Sequence, residues 1–368
     1  MAREIPFTFA RWFDKLADVI DTGELLEGFL PHLRAAEWVA LDTEADSLHA
    51  YPEKLCLIQI SVSDRDELLD PLSGMDISPL LDALRGRELI LHGADYDLRL
   101  LRRSFNFAPT TLFDTMLASR LLGDREFGLT NLVRNYLGVT LEKGAQKANW
   151  ARRPLTERMA VYARNDTHYL KPLSDLLRAA LTAKGRLLWH QQACAQLIAD
   201  CSELTSTDPD LVWRVRGSHQ LSPPALGVLR ELWRWRETEA IGANKPPFFI
   251  LSPEVMVDLA HAAIAGRPLQ EILPRHLTPR RRGGVLHAVT EGLAVKHPPA
   301  LLRHRGLRQT EAEKRRLIAL EDRRNRCAAE LGLDPTLIAS RAMLIALSND
   351  WAAHEHELMP WQCELLQG

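Results

Sequence analysis

Residues 38–62, WVALDTEADSLHAYPEKLCLIQISV, decide the fold. Two apolar runs of strand length, WVALDT (38–43) and LCLIQISV (55–62), flank a polar, turn-forming stretch and read as a hairpin. ELILH (88–92) supplies a third strand. Outward from this centre the apolar spacing changes to three and four. SPLLDALRG, DYDLRLLRRSF, DTMLASRLL, TNLVRNYL and a long segment from Thr156 to about Lys184 all read as helices. Strands first, with helices mixed in and then dominant, predict an α/β domain ending near residue 200.

Beyond that point no strand pattern recurs. LTSTDPDLVWRVRGSHQLSPP (204–224) is rich in Ser, Thr, Asp and Pro and reads as a linker. The remainder is helical and repeats itself. A shift of 88 positions lays residues 229–260 on 317–348 without a gap, and Leu229/Leu317, Leu232/Leu320, Arg236/Arg324, Ala240/Ala328, Pro247/Pro335, Ile250/Ile338, Ser252/Ser340 and Leu259/Leu347 coincide. The matches preserve an apolar helical face, a Pro-containing turn and a Ser that starts the next helix, so two helical modules are expected. Thr310 and Glu313 have capping-box spacing at the entry to the second. The expected domains are therefore 1–203, 204–295 and 296–368, consistent with the two or three that 368 residues suggest.

Composition bounds the rest. Hydrophobic residues at 46% and charged residues at 26% are the mix of a soluble globular chain. No run of roughly 18 apolar residues occurs, which excludes a spanning helix. MAREIPFTFARWFDKL lacks the basic start and apolar block of an export signal, so a cytoplasmic protein without membrane association is expected. The five cysteines form no CxxC pair and read as small buried apolar side chains, not as a zinc site or a disulfide framework. A net charge of −2 gives no general affinity for nucleic acid. Charge is unevenly spread, however: residues 267–326 hold 15 Lys/Arg against 6 acids, an excess able to follow a phosphate backbone.

The chemistry lies in carboxylates. Asp42 and Glu44 sit two apart at the end of a buried strand, so both point to one face of the sheet. Without a cation, burying them together is costly. Asp97, in HGADYDLRLL, falls in the first turn of a helix that follows the ELILH strand. Tyr162 and Asp166, in MAVYARNDTHYL, are four apart and share one helical face. Taken singly, Asp42 is an ordinary strand-end residue and Tyr162 an ordinary core aromatic. Taken together, four oxygen-only ligand groups with no partnered His or Cys favour hard cations, Mg²⁺ or Mn²⁺. Two such ions are a standard device for phosphodiester cleavage.

The order and spacing of these five residues resemble the DEDD exonuclease superfamily, in the subclass with tyrosine in its third motif. LDTE matches the first motif, the YD of HGADYDL the second, and Tyr162-x-x-x-Asp166 the third. LCLIQIS, FDTMLASRLLG and the stretch from GLTNLVRNYLG to VYARND extend the likeness to ribonuclease D and its nuclear exosome relative, over roughly residues 20–185. The resemblance implies a ribonuclease H-like mixed sheet flanked by helices. It implies two divalent cations and removal of nucleoside 5′-monophosphates from RNA 3′ ends, with precursor tRNA or other stable RNA as substrate. It also implies roles: Asp42 bridges both metals, Glu44 and Asp166 hold the metal that activates water, and Asp97 supports the second metal through water. The Tyr162 phenol would position the attacking water or take part in its deprotonation. Ala45 stands where ribonuclease D usually has an aromatic, and HGADYD is closer to the exosome relative, which bears on contacts to the terminal base.

Further candidates concern the nucleic acid. Lys143, Lys147, Arg152 and Arg153, with Trp150 among them, could meet the incoming strand through charge and an indole face. His92 could donate to an acid or a phosphate, and His49 and Tyr51 could grip the terminal nucleotide. LRELWRWRETEA with PPFFILSPEVMVDLA resembles the helicase-and-RNase-D C-terminal (HRDC) domain, and the repeat 88 residues later resembles a second. Helical spacing sends Trp233 and Trp235 to different faces, one in the core and one exposed. The expected chain is thus an α/β exonuclease followed by two all-α HRDC-like bundles, with RNA as partner and no required protein partner. A 3′→5′ DNA exonuclease and a non-catalytic nucleic-acid-binding scaffold remain the alternatives.

Overall fold

The two central apolar runs form neighbouring antiparallel strands, and the rest of the sheet grows from them. A computed structural model describes residues 19–63, 65–142, 144–202, 211–299 and 309–367. In chain order the first part comprises β1 (Val19–Ile20), α1 (Gly23–Ala35), β2 (Val39–Ala45), β3 (Leu55–Val62), β4 (Arg65–Leu69), α2 (Ser78–Leu84), β5 (Glu88–Leu91), α3 (Asp95–Phe105), β6 (Thr111–Asp114) and α4 (Thr115–Leu122). There follow α5 (Leu129–Leu132), which runs into a π-helical turn at Val133–Leu137, then α6 (Glu157–His168), α7 (Leu170–Ala183) and α8 (Leu187–Ser202). The six strands are ordered β1-β4-β3-β2-β5-β6. β3 runs antiparallel to both neighbours, whereas β2/β5, β5/β6 and β1/β4 are parallel. This is the expected mixed sheet flanked by helices. Every residue of β3 is buried, so both faces of the sheet are covered.

Three strands escape the sequence pattern. β4 (RDELL) is polar along half its length, and β1 and β6 have only 2 and 4 residues, too short to show a period. The expected long helix from Thr156 is two helices, because its two halves serve different cores. Met159, Ala160 and Ala163 of α6 pack with Cys56, Leu57 and Trp150, whereas Leu170, Leu173, Leu177 and Leu181 of α7 pack with Ile90 and Phe113.

The second part holds α9 (Pro223–Ala243), α10 (Pro247–Ile250), α11 (Pro253–Ile264) and α12 (Pro279–Leu293). The third holds α13 (Glu311–Leu331), α14 (Pro335–Ile338), α15 (Arg341–Asn349), α16 (Trp351–His354) and α17 (Pro360–Gln367). The duplication is present in three dimensions. α9 and α13 begin and end 88 residues apart, as do α10 and α14. Ser252 and Ser340 both cap the helix that follows. Thr310 and Glu313 form the expected capping box.

Compactness groups these segments differently from a division into 1–203, 204–295 and 296–368. The described residues up to Ala45, those from Leu55 to 202, and those from 309 to 367 form one unit; residues 46–54 join 211–299 in the other. The third segment shares a core with the exonuclease sheet. Leu317, Ala328, Ile338, Leu344, Leu347 and Trp361 cluster with Ala40, Ile90, Phe113 and the leucines of α7, and Trp361 stacks on Trp189 at 4.7 Å. The stretch read as a linker is only partly one, since Trp213 and Leu221 are buried in the core of the first module. Trp233 and Trp235 also depart from expectation. Both are half-buried against that core, and Trp235 lies so close to Gly284 that a Cβ there would sit 2.3 Å from its indole nitrogen. Among the described residues no helix is long and apolar enough to cross a membrane.

Gly123, at the end of α4, lies close against the third segment. Its φ is +98°, and a Cβ there would lie 2.4 Å from the carbonyl oxygen of Gly332. Gly74 has a comparable φ of +84° but nothing within 4 Å. Gly74→Ala is expected to cost about 1 to 2 kcal/mol from backbone strain alone. Gly123→Ala should cost distinctly more, because a backbone carbonyl must also move. Equal shifts in urea denaturation would show that the contact is not tight.

Candidate active site

β2 pairs with β5 only through Val39 and Ala40, although it continues to Ala45 alongside β3. Its last residues therefore lack a strand partner on one side, and α3 enters there. Thr43, buried between Asp42 and Glu44, donates its hydroxyl to Asp97 Oδ1 on the first turn of α3 at 2.5 Å. Thr156 caps the start of α6, which carries Tyr162 and Asp166 one turn apart. The far end of α6 is fixed to the sheet by side chains. Ser61 Oγ donates to Asp66 and lies 2.7 Å from Thr167 Oγ1, and the other oxygen of Asp66 meets His168 Nδ1 at 2.7 Å. Arg164 Nε adds a bond to the Asp66 carbonyl at 3.1 Å.

The result is a convergence of acids. One carboxylate oxygen from each of Asp42, Glu44 and Asp166 lies within 4.8 Å of the other two. Asp97 stands beside this trio, held by Thr43. Burial, then repulsion from Asp97, Asp166 and Glu44, raises the Asp42 pKa well above the carboxylate range. Burial first and neighbouring charge second push Glu44 up to about 9. Asp97 and Asp166 rise to about 7, in both cases chiefly through burial. Carboxylates crowded in this way are stable as anions only beside a positive charge. The donor set, all oxygen, suits a hard divalent cation. The acidic cluster thus fits the cofactor class that its residue types imply.

Tyr162 completes the group. Its hydroxyl donates to Asp166, and the Gln146 side chain hydrogen-bonds the phenol. Burial first, then the charges of Asp166 and Glu44, raise its pKa far above that of a free phenol. Gly144 is the contact sequence reasoning missed: a Cβ there would fall 1.8 Å from the Tyr162 ring, so only glycine lets this segment lie on the phenol. A glycine in LEKGAQ was the one available signal, and it does not say what approaches it. Thr43, Ser61, Asp66 and His168 were also passed over, since common polar residues carry no motif.

The nucleic-acid candidates separate. Trp150 is 1% exposed, packed with Cys56 and Leu57 and with its ring centroid 6.1 Å from that of Tyr162, so it has no face to offer a base. Arg153 is likewise structural. Its guanidinium bonds both oxygens of Asp70 and the carbonyls of Trp150 and Cys56. Lys147 and Arg152 are exposed, and Lys143 lies outside the described residues. His92 is half-buried with Nδ1 2.9 Å from Thr115 Oγ1, and burial lowers its pKa, so it is neutral at pH 7. His49 is exposed in the 46–54 segment. Tyr51 in that segment donates its hydroxyl to Glu237 and its amide to Asn244, and its phenol is pushed up to about 12, chiefly by burial.

Sheet order, acidic cluster and tyrosine together define a 3′→5′ exonuclease domain, and residues 17–182 match the family model described as 3′-5′ exonuclease. Residues 225–266 match the HRDC domain. The chain is 36% identical over 248 residues to ribonuclease D of Zymomonas mobilis, covering 66% of this chain and 63% of that one. With ribonuclease D of Haemophilus influenzae it shares 30% identity over 320 residues, 83% of this chain and 78% of that one. The crystal structure of Escherichia coli RNase D, described as an exoribonuclease involved in structured RNA processing, matches with a TM-score of 0.72 and 26% identity, covering 95% and 96% of the two chains. The chain belongs to the ribonuclease D family.

The raised carboxylate pKa values carry a sign. The folded chain binds these protons more tightly than the unfolded one, for which ordinary values near 3.8 and 4.5 apply. Their contribution to stability is therefore complete below about pH 4 and is lost as the pH rises through about 7 to 9. In metal-free buffer the melting temperature should fall across that window, and added Mg²⁺ or Mn²⁺ should restore it at the alkaline end. Asp42→Asn should flatten the slope. A metal-free melting temperature independent of pH would contradict the proposed crowding.

Proposed function

We propose that the chain removes nucleoside 5′-monophosphates one at a time from RNA 3′ ends, acting on the tails of structured RNA such as tRNA precursors in the cytoplasm. The convergence of Asp42, Glu44 and Asp166 within 4.8 Å carries this reading, because such a cluster can hold the divalent cations that serve phosphodiester hydrolysis. Asp42, Glu44 and Asp166 would hold one Mg²⁺ or Mn²⁺, and Asp42 with Asp97 a second. Bound there, the pair supplies an activated water and neutralises the charge that builds on the leaving 3′ oxygen. The chain's own residues do the orienting. Thr43 fixes the Asp97 carboxylate, and the Ser61–Asp66–His168 bonds fix the end of α6 from which Asp166 projects.

Tyr162 acts as a neutral phenol. With its pKa raised, the phenol keeps its proton at neutral pH, so its hydroxyl orients an attacking water through a hydrogen bond and does not remove that water's proton. The cluster itself would cleave RNA and DNA alike. RNA is favoured by membership in the ribonuclease D family and by similarity to a protein described as processing structured RNA.

Incubation of 5′-labelled RNA and the same DNA sequence with Mg²⁺ or Mn²⁺ tests the proposal. A ladder of shortening RNA is expected, with slower loss of DNA. Faster loss of DNA would reassign the substrate, and binding without cleavage would leave a scaffold. Asp42→Asn should lower turnover by at least about a hundredfold while RNA is still bound. Tyr162→Phe and Gly144→Ala should each lower kcat about tenfold or more with little change in KM, since one removes the hydroxyl and the other displaces it. Normal turnover in Gly144→Ala would separate that glycine from the phenol.

A further inference from the structure

The strand beside the acids carries a buried amide. Register sets Gln59 of β3 directly opposite Asp42 of β2, with Leu57 opposite Glu44 and Ser61 opposite Ala40. Opposite residues on paired strands share a face, so Leu57, Gln59 and Ser61 line the same face as Asp42 and Glu44. α6, which bears Tyr162 and Asp166, covers that face. Its Met159, Ala160 and Ala163 cluster with Leu57 and Leu68, and its Thr167 Oγ1 lies 2.7 Å from Ser61 Oγ. Gln59 is therefore enclosed between the sheet and the helix of the third motif. It is 0% exposed, and neither its Oε1 nor its Nε2 has a hydrogen-bond partner among the described residues.

A buried amide with both ends unpaired destabilises the fold that holds it, and an apolar side chain of similar size would not. The surroundings of Gln59 leave one polar group for it to pair with. Leu57 precedes it by two residues on that face and Leu68 stands opposite it on β4; both are apolar, as are the α6 residues that cluster with them. Ser61, two residues further on, has its hydroxyl engaged by Asp66 and Thr167. Asp42 remains. Opposite residues have Cβ atoms about 4.5 to 5.5 Å apart, a gap that a glutamine side chain spans. The Nε2–H of an amide is a donor suited to an ionised carboxylate, and carboxylates that ligate a cation are held in orientation by such bonds.

We propose that Gln59 is a positioning residue of the cation site: with a divalent cation bound, its Nε2 donates to the Asp42 carboxylate and fixes which oxygen faces the ion. The proposal rests on the reading of these acids as a cation site given above, and adds a side chain that acts through Asp42 without touching the ion. Removal of the amide then weakens cation binding and does not weaken the metal-free fold.

Gln59→Leu and the nearly isosteric Gln59→Met test this on the full chain. Mn²⁺ is titrated by calorimetry near neutral pH without RNA, and melting is followed separately in EDTA. Both variants should bind Mn²⁺ about tenfold or more weakly than the wild type, the usual effect of losing the partner of a metal ligand. In EDTA both should melt at or above the wild-type temperature, since an unpaired buried amide has been replaced by apolar surface. In RNA cleavage the Mn²⁺ concentration that gives half the maximal rate should rise by about the same factor, with kcat at saturating Mn²⁺ within about threefold of the wild type. Wild-type affinity for Mn²⁺ in either variant would overturn the proposal. So would weaker binding in variants that melt lower in EDTA or fail to fold, which is the mark of a packing role. Should the wild type bind Mn²⁺ and leave RNA uncut, the nuclease reading fails while the titration still reports on Gln59. A wild type that binds no Mn²⁺ would overturn both.

Discussion

Mutual repulsion among Asp42, Glu44, Asp97 and Asp166 is the constraint around which the exonuclease unit is arranged. Each acid is buried enough to resist ionisation, and each makes ionisation of another harder. A chain gains nothing in stability from such a group. It persists because the elements that carry it are held from outside. β2 is locked to β3 from Ala40 to Ala45, α3 is tied down through Thr43, and α6 is pinned by side chains at its far end. The positive charge that relieves the repulsion is then the functional ligand, so affinity for a cation and the cost of assembling the site are two sides of one term.

The support is unevenly distributed. Asp42 and Glu44 stand on a central strand, and their positions follow from its pairing with the fully buried β3. Asp166 and Tyr162 stand on a helix that must be aimed, and more side-chain bonds are spent on it. Arg153 contributes to the same end: by binding Asp70 and the carbonyls of Cys56 and Trp150, it secures the chain that leads into α6. A guanidinium already engaged by a carboxylate and fixed carbonyls is worth more as a clamp than as a phosphate contact, which accounts for the structural use of a cation so near the third motif.

What was legible in the sequence follows from this division. The strand hairpin, the helical faces, the duplicated modules and the five site residues are local patterns, and spacing or motif carries each of them. The long helix split at Tyr169, the burial of Trp150 and the commitment of Arg153 and Tyr51 are decided by partners far away in the chain. Periodicity reports that a helix has an apolar face but not which core receives it. In the same way a cation or an indole beside a motif reads identically whether it faces substrate or a buried carboxylate. Gly144 lay between these cases, visible as a glycine and silent about the ring above it.

The duplication shows how one helical pattern came to serve two purposes. In both copies the leucines and alanines that face inward are retained, and Ile250 and Ile338 are fully buried at equivalent places. The copies part at surface positions. In the third segment, aliphatic side chains and a tryptophan extend the module's core into that of the exonuclease sheet, so the two form one compact unit and removing the segment would expose that shared core. The first module closes its own core with Trp213, Leu221 and α12 and needs no such extension. Its outward residues are free of that constraint, and Lys245 and Phe249 stand where the third segment has Leu333 and Leu337.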